Sequence, residues 1–164
     1  MKEDFFTFSE SIRKENVPLT PSMEDYLEMV YRLSMETGFT RIQELSNMLH
    51  VQPPSVTRMI QKLAELGLVH YEKYGVIRLT GLGKLEGSLL LSRHNIVATF
   101  LKSIGVTASL LEETEKIEHT ISKETQICIA DFLSFLEENP DILNKFRDFK
   151  NAKDEVRKLL REKD

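Results

Sequence analysis

The chain has 164 residues, of which 41% are hydrophobic and 29% are charged, so it is long enough for one or two compact domains and too apolar to stay disordered. Its single cysteine, Cys128, excludes an internal disulfide and favours a reducing, cytoplasmic setting, and we expect neither a membrane span nor a secretory signal, because no apolar run is long enough. The formal net charge of -4 gives the whole chain no attraction to nucleic acid, so any DNA binding must be local or conditional.

The first half of the chain is predicted to contain three helices. Residues 1–19 are expected to form a polar N-terminal arm with an aromatic patch. After them, apolar residues recur at helical spacing as far as residue 63, and helix-start and helix-stop residues divide this stretch into three. The predicted starts and ends are Ser22 and Gly38, Thr40 and Leu49, and Pro53 and Gly67.

The pattern then changes to two β-prone runs, 68–72 and 76–80, whose short separation predicts a hairpin. The rest of the chain is predicted to be helical. Helix, helix, helix and hairpin is the order of a winged helix-turn-helix. We therefore predict a mainly α protein with a small β-wing, made of a winged helix-turn-helix DNA-binding domain over 20–91 and a helical domain over 92–164. The helices of the second half are expected from Thr80 to about Ile104, from near Thr107, from Ser122 to Asn139-Pro140, and over about 151–162.

The third predicted helix carries a face suited to the major groove of DNA. Its polar side chains include an arginine and a glutamine, which can form paired hydrogen bonds with base edges, and shorter groups and a lysine that can bind phosphates. Arg41 and Gln43 on the second helix would brace the DNA backbone, and Lys73 and Arg78 would be the basic contacts of the wing. The alternative is an ordinary solvated helix face. The residues predicted to read DNA on the third helix are Ser55, Thr57, Arg58, Gln61 and Lys62.

Three groups of residues could bind a metal ion. Glu115, Glu118 and His119 stand at positions i, i+3 and i+4 of one predicted helix, so their side chains converge on one side of it. Such a cluster on a bundle helix can build a carboxylate metal site, although a charged helix face is the alternative. The other candidates are His94 on the long helix and the pair Asp25 and Glu28 on the first helix.

The chemistry of these six donor side chains narrows the choice of metal ion. Four carboxylates and two imidazoles, with no thiolate, suit Mn²⁺ or Fe²⁺ rather than a sulfur-bound zinc, and six ligands fit two ions per protomer. The predicted DNA-binding domain is near neutral, with 7 Lys and Arg against 8 Asp and Glu in 20–91. Two divalent ions would bring the net charge of -4 close to zero, so we expect DNA binding to depend on metal.

Five segments of the chain carry a recognisable pattern: 20–28, 53–63, 71–74, 93–94 and 117–119. Together they resemble the diphtheria-toxin-repressor family and, more narrowly, its manganese-transport-regulator branch. The resemblance implies a homodimeric, metal-activated repressor that binds operator DNA and shuts off metal-uptake genes, and that is not an enzyme. It also implies that the helical domain over 92–164 is a metal-binding and dimerisation domain, and that all six donors named above are metal ligands.

The resemblance also bears on the choice of metal. The iron-responsive branch of the family places a methionine where Asp25 stands and a cysteine where Glu115 stands, so the oxygen donors here favour Mn²⁺, with an Fe²⁺-responsive repressor as the alternative. In the wing, Gly75-Val76 occupy the positions where the family often has Arg-Gly, which puts the wing's minor-groove contact in question.

Two functions of other classes remain open from the residues alone. A carboxylate-bridged metalloenzyme would use the same donors, but neither a nucleophile-base pair nor a phosphate-binding glycine loop accompanies them. A metal-independent regulator could instead sense an oxidant through Cys128. Dimerisation is expected because helix-turn-helix proteins usually read paired half-sites. The apolar helix faces after Gly105, with Ile127, Phe132 and Leu136, could serve as that interface or as core.

Overall fold

The computed structural model describes residues 19–72 and 75–161, and these contain seven helices and one three-stranded sheet. The predicted fold class, helices with a small β-wing, is confirmed. The chain divides into two compact units between Leu90 and Leu91. The elements in chain order are α1 (Pro21–Ser34), β1 (Thr40–Arg41), α2 (Ile42–Leu49), α3 (Pro53–Glu65), β2 (Val69–Tyr71), β3 (Val76–Leu79), α4 (Gly81–Ser103), α5 (Leu110–Glu118), α6 (Lys123–Glu138) and α7 (Pro140–Arg161).

Helix α1 begins earlier than the sequence predicts. Its N-cap is Thr20, whose hydroxyl accepts a hydrogen bond from the backbone N–H of Met23 at 3.3 Å, and the predicted cap Ser22 lies inside the first turn. Pro21 occupies the first helical position, where a missing N–H costs nothing. The prediction of Ser22 as the cap is therefore wrong, because a threonine followed by proline provides the same oxygen two residues earlier.

Helices α2 and α3 form the helix-turn-helix, and local side chains fix both the start of α2 and the turn after it. The Glu44 carboxylate accepts from the backbone N–H of Arg41 at 3.1 Å and from the Thr40 hydroxyl at 2.7 Å, as in a capping box. In the turn, His50 adopts a left-handed conformation with φ of 53°, and the buried Ser46 hydroxyl donates to the carbonyl of Val51. The predicted order of two short helices is confirmed.

The sheet has the order β1-β3-β2 and is antiparallel throughout. The hairpin of β2 and β3 is as predicted, and β1 adds a strand that the sequence did not reveal. Thr40 pairs with Ile77 and Val69 pairs with Leu79, and all four side chains are buried. A strand of two residues is too short to show an alternating pattern in sequence.

The core of the N-terminal unit lies between the sheet and helices α1 to α3. The centre of this core consists of aliphatic side chains. The first turns of α4 pack against the core through residues with small side chains. The Thr80 hydroxyl accepts a hydrogen bond from the N–H of Gly83 at 3.0 Å. Thr80 therefore caps α4, at the start that the sequence predicts. The fully buried side chains of the core include Leu27, Val30, Leu45, Val56, Ile60, Leu63, Leu68 and Ile77.

The C-terminal unit contains the second part of α4 with α5, α6 and α7. Phe100 and Phe132 pack edge to face with ring centroids 6.3 Å apart. From α7, the Lys150 ammonium donates to the carbonyls of Ile104 and Gly105, at 3.0 and 2.8 Å, where α4 ends. Of the three apolar residues predicted to form either a dimer interface or core, Leu136 is buried, whereas Ile127 and Phe132 are exposed.

Two helix starts in this unit differ from the predictions. Helix α5 begins at Leu110 rather than near Thr107. Helix α7 begins at Pro140, not at about 151, because a proline that ends one helix can occupy the first turn of the next. Among residues 19–72 and 75–161, no helix combines the length and the apolar character needed to cross a bilayer.

Candidate metal centre and nucleic-acid interface

Helix α3 presents the predicted polar side chains on its outer face. Its inner face is fixed by Val56, Ile60 and Leu63, which are fully buried. Thr57 is half-buried, and its hydroxyl donates a hydrogen bond to the Pro53 carbonyl of the same helix at 3.1 Å. The hydroxyl proton of Thr57 is therefore already used within α3. The predicted residues that are exposed are Ser55, Arg58, Gln61 and Lys62.

A second basic surface lies on the outer face of the sheet. Arg41 is exposed immediately before α2, and its guanidinium carbon lies 5.6 Å from the centroid of the Phe39 ring. The guanidinium of Arg78, on β3, lies 5.2 Å from the same ring. Lys73, the predicted contact of the wing, lies outside the described residues. The aromatic ring between two arginines was missed in sequence, because only the pairing of β1 with β3 brings them together.

Three of the predicted metal ligands lie close together in the C-terminal unit. The side chain of Glu118 is only 3% exposed, and one carboxylate oxygen accepts a hydrogen bond from Nδ1 of His94 at 2.8 Å. The other carboxylate oxygen lies 3.7 Å from Nε2 of His119. A buried carboxylate with two imidazoles beside it offers the oxygen and nitrogen donors that Mn²⁺ and Fe²⁺ accept.

Arg93 adds a fixed positive charge next to this group. Its Nη2 lies 3.5 Å from Nδ1 of His119, and because a guanidinium can only donate, the imidazole nitrogen accepts. Nε2 of the same imidazole lies on the side of Glu118, so the ring of His119 stands between the guanidinium and the carboxylate.

The predicted spacing in helix α5 holds in the structure. The helix ends at Glu118, and His119 continues it as the C-cap with helical angles of -81° and -10°. Glu115 lies one turn before Glu118 and is exposed, whereas Thr114 is fully buried.

In the N-terminal unit, Asp25 and Glu28 lie one turn apart on α1. Asp25 is exposed, but Glu28 is 8% exposed and accepts from Nε of Arg32 at 2.8 Å. Glu28 is therefore a buried carboxylate rather than a solvated one. Burying a carboxylate is unfavourable without a partner, and here Arg32 supplies a positive one.

One carboxylate outside the predicted ligand set, that of Glu86, has a raised pKa. Burial raises the pKa of Glu86 on α4, and the negative charge of Glu24 on α1 raises this pKa further. The acid form of Glu86 is therefore favoured in the folded chain relative to an exposed glutamate.

The comparisons with known proteins cover both units. The family described as "Iron dependent repressor, N-terminal DNA binding domain" matches residues 18–77, and "Iron dependent repressor, metal binding and dimerisation domain" matches residues 80–147. A relative from Lysinibacillus sphaericus, named HTH-type transcriptional regulator MntR, is 42% identical over 127 residues, which are 77% of this chain and 91% of that protein.

Solved structures of metal-dependent regulators have the same fold. The structure of the manganese regulator SloR is 31% identical with a TM-score of 0.62, over 71% of this chain and 55% of that one. A manganese-dependent transcriptional repressor in complex with manganese is 27% identical with a TM-score of 0.60, over 69% of this chain and 53% of that one. This chain thus spans little more than half the length of these two proteins. It belongs to the iron-dependent repressor family of metal-responsive, DNA-binding transcriptional regulators, and not to the metalloenzymes that its donor residues alone would also allow.

Proposed function

We propose that this chain is a repressor that binds operator DNA as a homodimer when Mn²⁺ is bound, and that it thereby turns off genes for metal uptake. The observation that carries the proposal is the buried carboxylate of Glu118 held beside His94 and His119, in a chain whose helix α3 also exposes a polar face. The name of the Lysinibacillus sphaericus relative and the titles of the two solved structures support manganese as the signal. An Fe²⁺-responsive repressor is the alternative.

The proposed ligands are the six residues predicted from the sequence. Support for His94, Glu118 and His119 comes from their mutual distances within the C-terminal unit. Support for the other three is their chemistry, because carboxylate oxygens are hard donors that suit Mn²⁺ and leave room for two ions per protomer. These three are Asp25, Glu28 and Glu115.

When bound, the metal supplies concentrated positive charge among carboxylates that otherwise repel one another and the DNA backbone. The chain's own contribution is orientation. Glu118 holds His94 through a hydrogen bond of 2.8 Å and lies 3.7 Å from His119, so few side chains of this group must be ordered on binding.

The DNA-reading role is proposed for the exposed face of α3 and for Arg41 and Lys73. Arg58 and Gln61 are the side chains that can read base edges, and Lys62 suits a phosphate. We propose residues 20–91 as the DNA-binding part and 92–164 as the metal-binding and dimerisation part. Such a repressor works in the compartment that holds the DNA, and for this chain we propose the cytoplasm.

The test is a DNA-binding titration on the full chain. Duplexes selected from a random-sequence library in the presence of Mn²⁺ are used to measure the dissociation constant with Mn²⁺, with Fe²⁺ under anaerobic conditions, and with chelator. We expect tight binding with Mn²⁺ and none with chelator. Equal binding with and without metal would contradict the proposal, and activation by Fe²⁺ alone would favour the alternative.

Matched variants test the site itself. Glu118→Gln keeps the shape of the side chain but removes the negative charge of a buried metal ligand, and we expect it to abolish the response to Mn²⁺. Glu112→Gln is the control, because this carboxylate lies on the same helix but is exposed and pairs with Lys116. Metal counting by atomic absorption should give two ions per protomer, and a value of one would contradict the proposed stoichiometry.

A further inference from the structure

The outer face of the wing sheet carries two arginines on one aromatic ring. Phe39 immediately precedes β1, and the register that pairs Thr40 with Ile77 places it across from Arg78. The guanidinium carbons of Arg41 and Arg78 lie 5.6 and 5.2 Å from the centroid of the Phe39 ring, within the range of a cation-π contact. Both arginines are exposed.

The position of Phe39 is itself fixed by the backbone on either side. The Thr37 hydroxyl donates to the carbonyl of Phe39 at 2.7 Å, and Gly38 turns the chain with a φ of 77°. On the other side, Thr40 is fully buried and paired with Ile77. The backbone that carries the ring is therefore held on both sides.

A guanidinium stacked on a ring keeps its N–H donors in its own plane, where they can bind a phosphate in a bidentate manner. The ion pair of Arg78 with Glu72, at 3.4 Å, does not prevent this, because both side chains are about half exposed, at 48% and 54%. Exposed ion pairs of this kind contribute little, so a phosphate can replace the carboxylate.

We propose that Phe39 is a positioning residue that holds Arg41 and Arg78 ready to bind two phosphates of the DNA backbone. Long, flexible side chains lose conformational entropy when they bind, and a ring that orders them beforehand reduces that loss. The inference rests on the proposed DNA-binding function, in which Arg41 already takes part, and adds to it Phe39 as the residue that positions Arg41 and Arg78.

The test measures affinity and its salt dependence on the full chain with Mn²⁺ and a fluorescein-labelled duplex of mixed sequence. Phe39→Leu keeps an apolar side chain but removes the ring face, and we expect the dissociation constant to rise about threefold to tenfold. Its salt slope should stay unchanged, because both charges remain. Arg78→Gln should lower the slope by about 0.9, the value for one phosphate contact. Phe39→Tyr retains the ring and should bind like the wild type.

A double-mutant cycle separates positioning from a structural role. In an Arg41→Gln, Arg78→Gln background, Phe39→Leu should have no further effect on affinity, whereas an equal loss there would overturn the inference. Glu72→Gln removes the competing carboxylate and should strengthen binding, and weaker binding would also count against the inference. If the wild type binds no duplex with Mn²⁺, the proposed function fails. If it binds and Phe39→Leu binds equally well, only the role of Phe39 fails.

Discussion

Gly83 lies on helix α4 against the backbone of Leu68 and the side chain of Leu79, and replacing it with alanine should destabilise the N-terminal unit. A Cβ at this position would lie well within 3.0 Å of the Leu68 carbonyl oxygen, an approach that real Cβ atoms essentially never show, and 3.1 Å from Cδ2 of Leu79. The Leu68 carbonyl also accepts from the backbone N–H of Thr80 at 3.0 Å, so it cannot move away freely. We expect a loss of about 1–3 kcal/mol, the usual cost of overpacking, even though alanine favours a helix.

The same helix provides a matched control. A Cβ on Gly81 would meet nothing within 4 Å, so Gly81→Ala should leave stability unchanged or raise it by up to about 1 kcal/mol. Urea denaturation followed by circular dichroism gives the free energy of unfolding, and each kcal/mol should also shift the melting temperature by about 2–4 °C. If Gly83→Ala is as stable as Gly81→Ala, α4 does not approach Leu68 as closely as the structure indicates.

Two further predictions concern a helix cap and a carboxylate. Thr20→Ala should lower the free energy of unfolding by about 1 kcal/mol while Ser22→Ala changes it little, and the opposite order in urea denaturation would restore Ser22 as the cap. Because the pKa of Glu86 is raised in the folded chain, its contribution to stability is present below the ordinary pKa of a glutamate and is lost as the pH rises through the raised value. Glu86→Gln should therefore melt at a higher temperature than the wild type at pH 7, with a difference that shrinks at acidic pH. A difference in melting temperature between Glu86→Gln and the wild type that stays constant with pH would contradict the reasoning.

Most of the fold could be predicted because its helices and hairpin carry strong periodic signals. Helix α3, for example, has buried residues at helical spacing between a proline start and a glycine end, and tertiary contacts did not override them. The failures lie where a signal was short or ambiguous. Strand β1 has two residues, and Pro140 could either end a helix or begin one. Thr20 and Ser22 are equally good caps in sequence, and only the hydrogen bond to Met23 distinguishes them.

The candidate site was predicted by residue type but not by environment. Spacing placed Glu118 and His119 together, yet the near-complete burial of Glu118 and its bond to His94, 24 positions earlier, follow from the packing of separate helices. Phe39 had no sequence signal at all, because its partners become neighbours only through strand pairing. Periodicity reports which face a residue occupies, but not which distant residue it will meet.

The ammonium of Lys150 completes the end of helix α4 from 46 positions away. Helices usually finish with a local glycine motif, and here the turn at Gly105, with φ of 91°, is supplemented by a cation against carbonyls that carry partial negative charge. These two hydrogen bonds exist only while α7 is docked. Undocking of the C-terminal helix should therefore promote fraying at this end of α4.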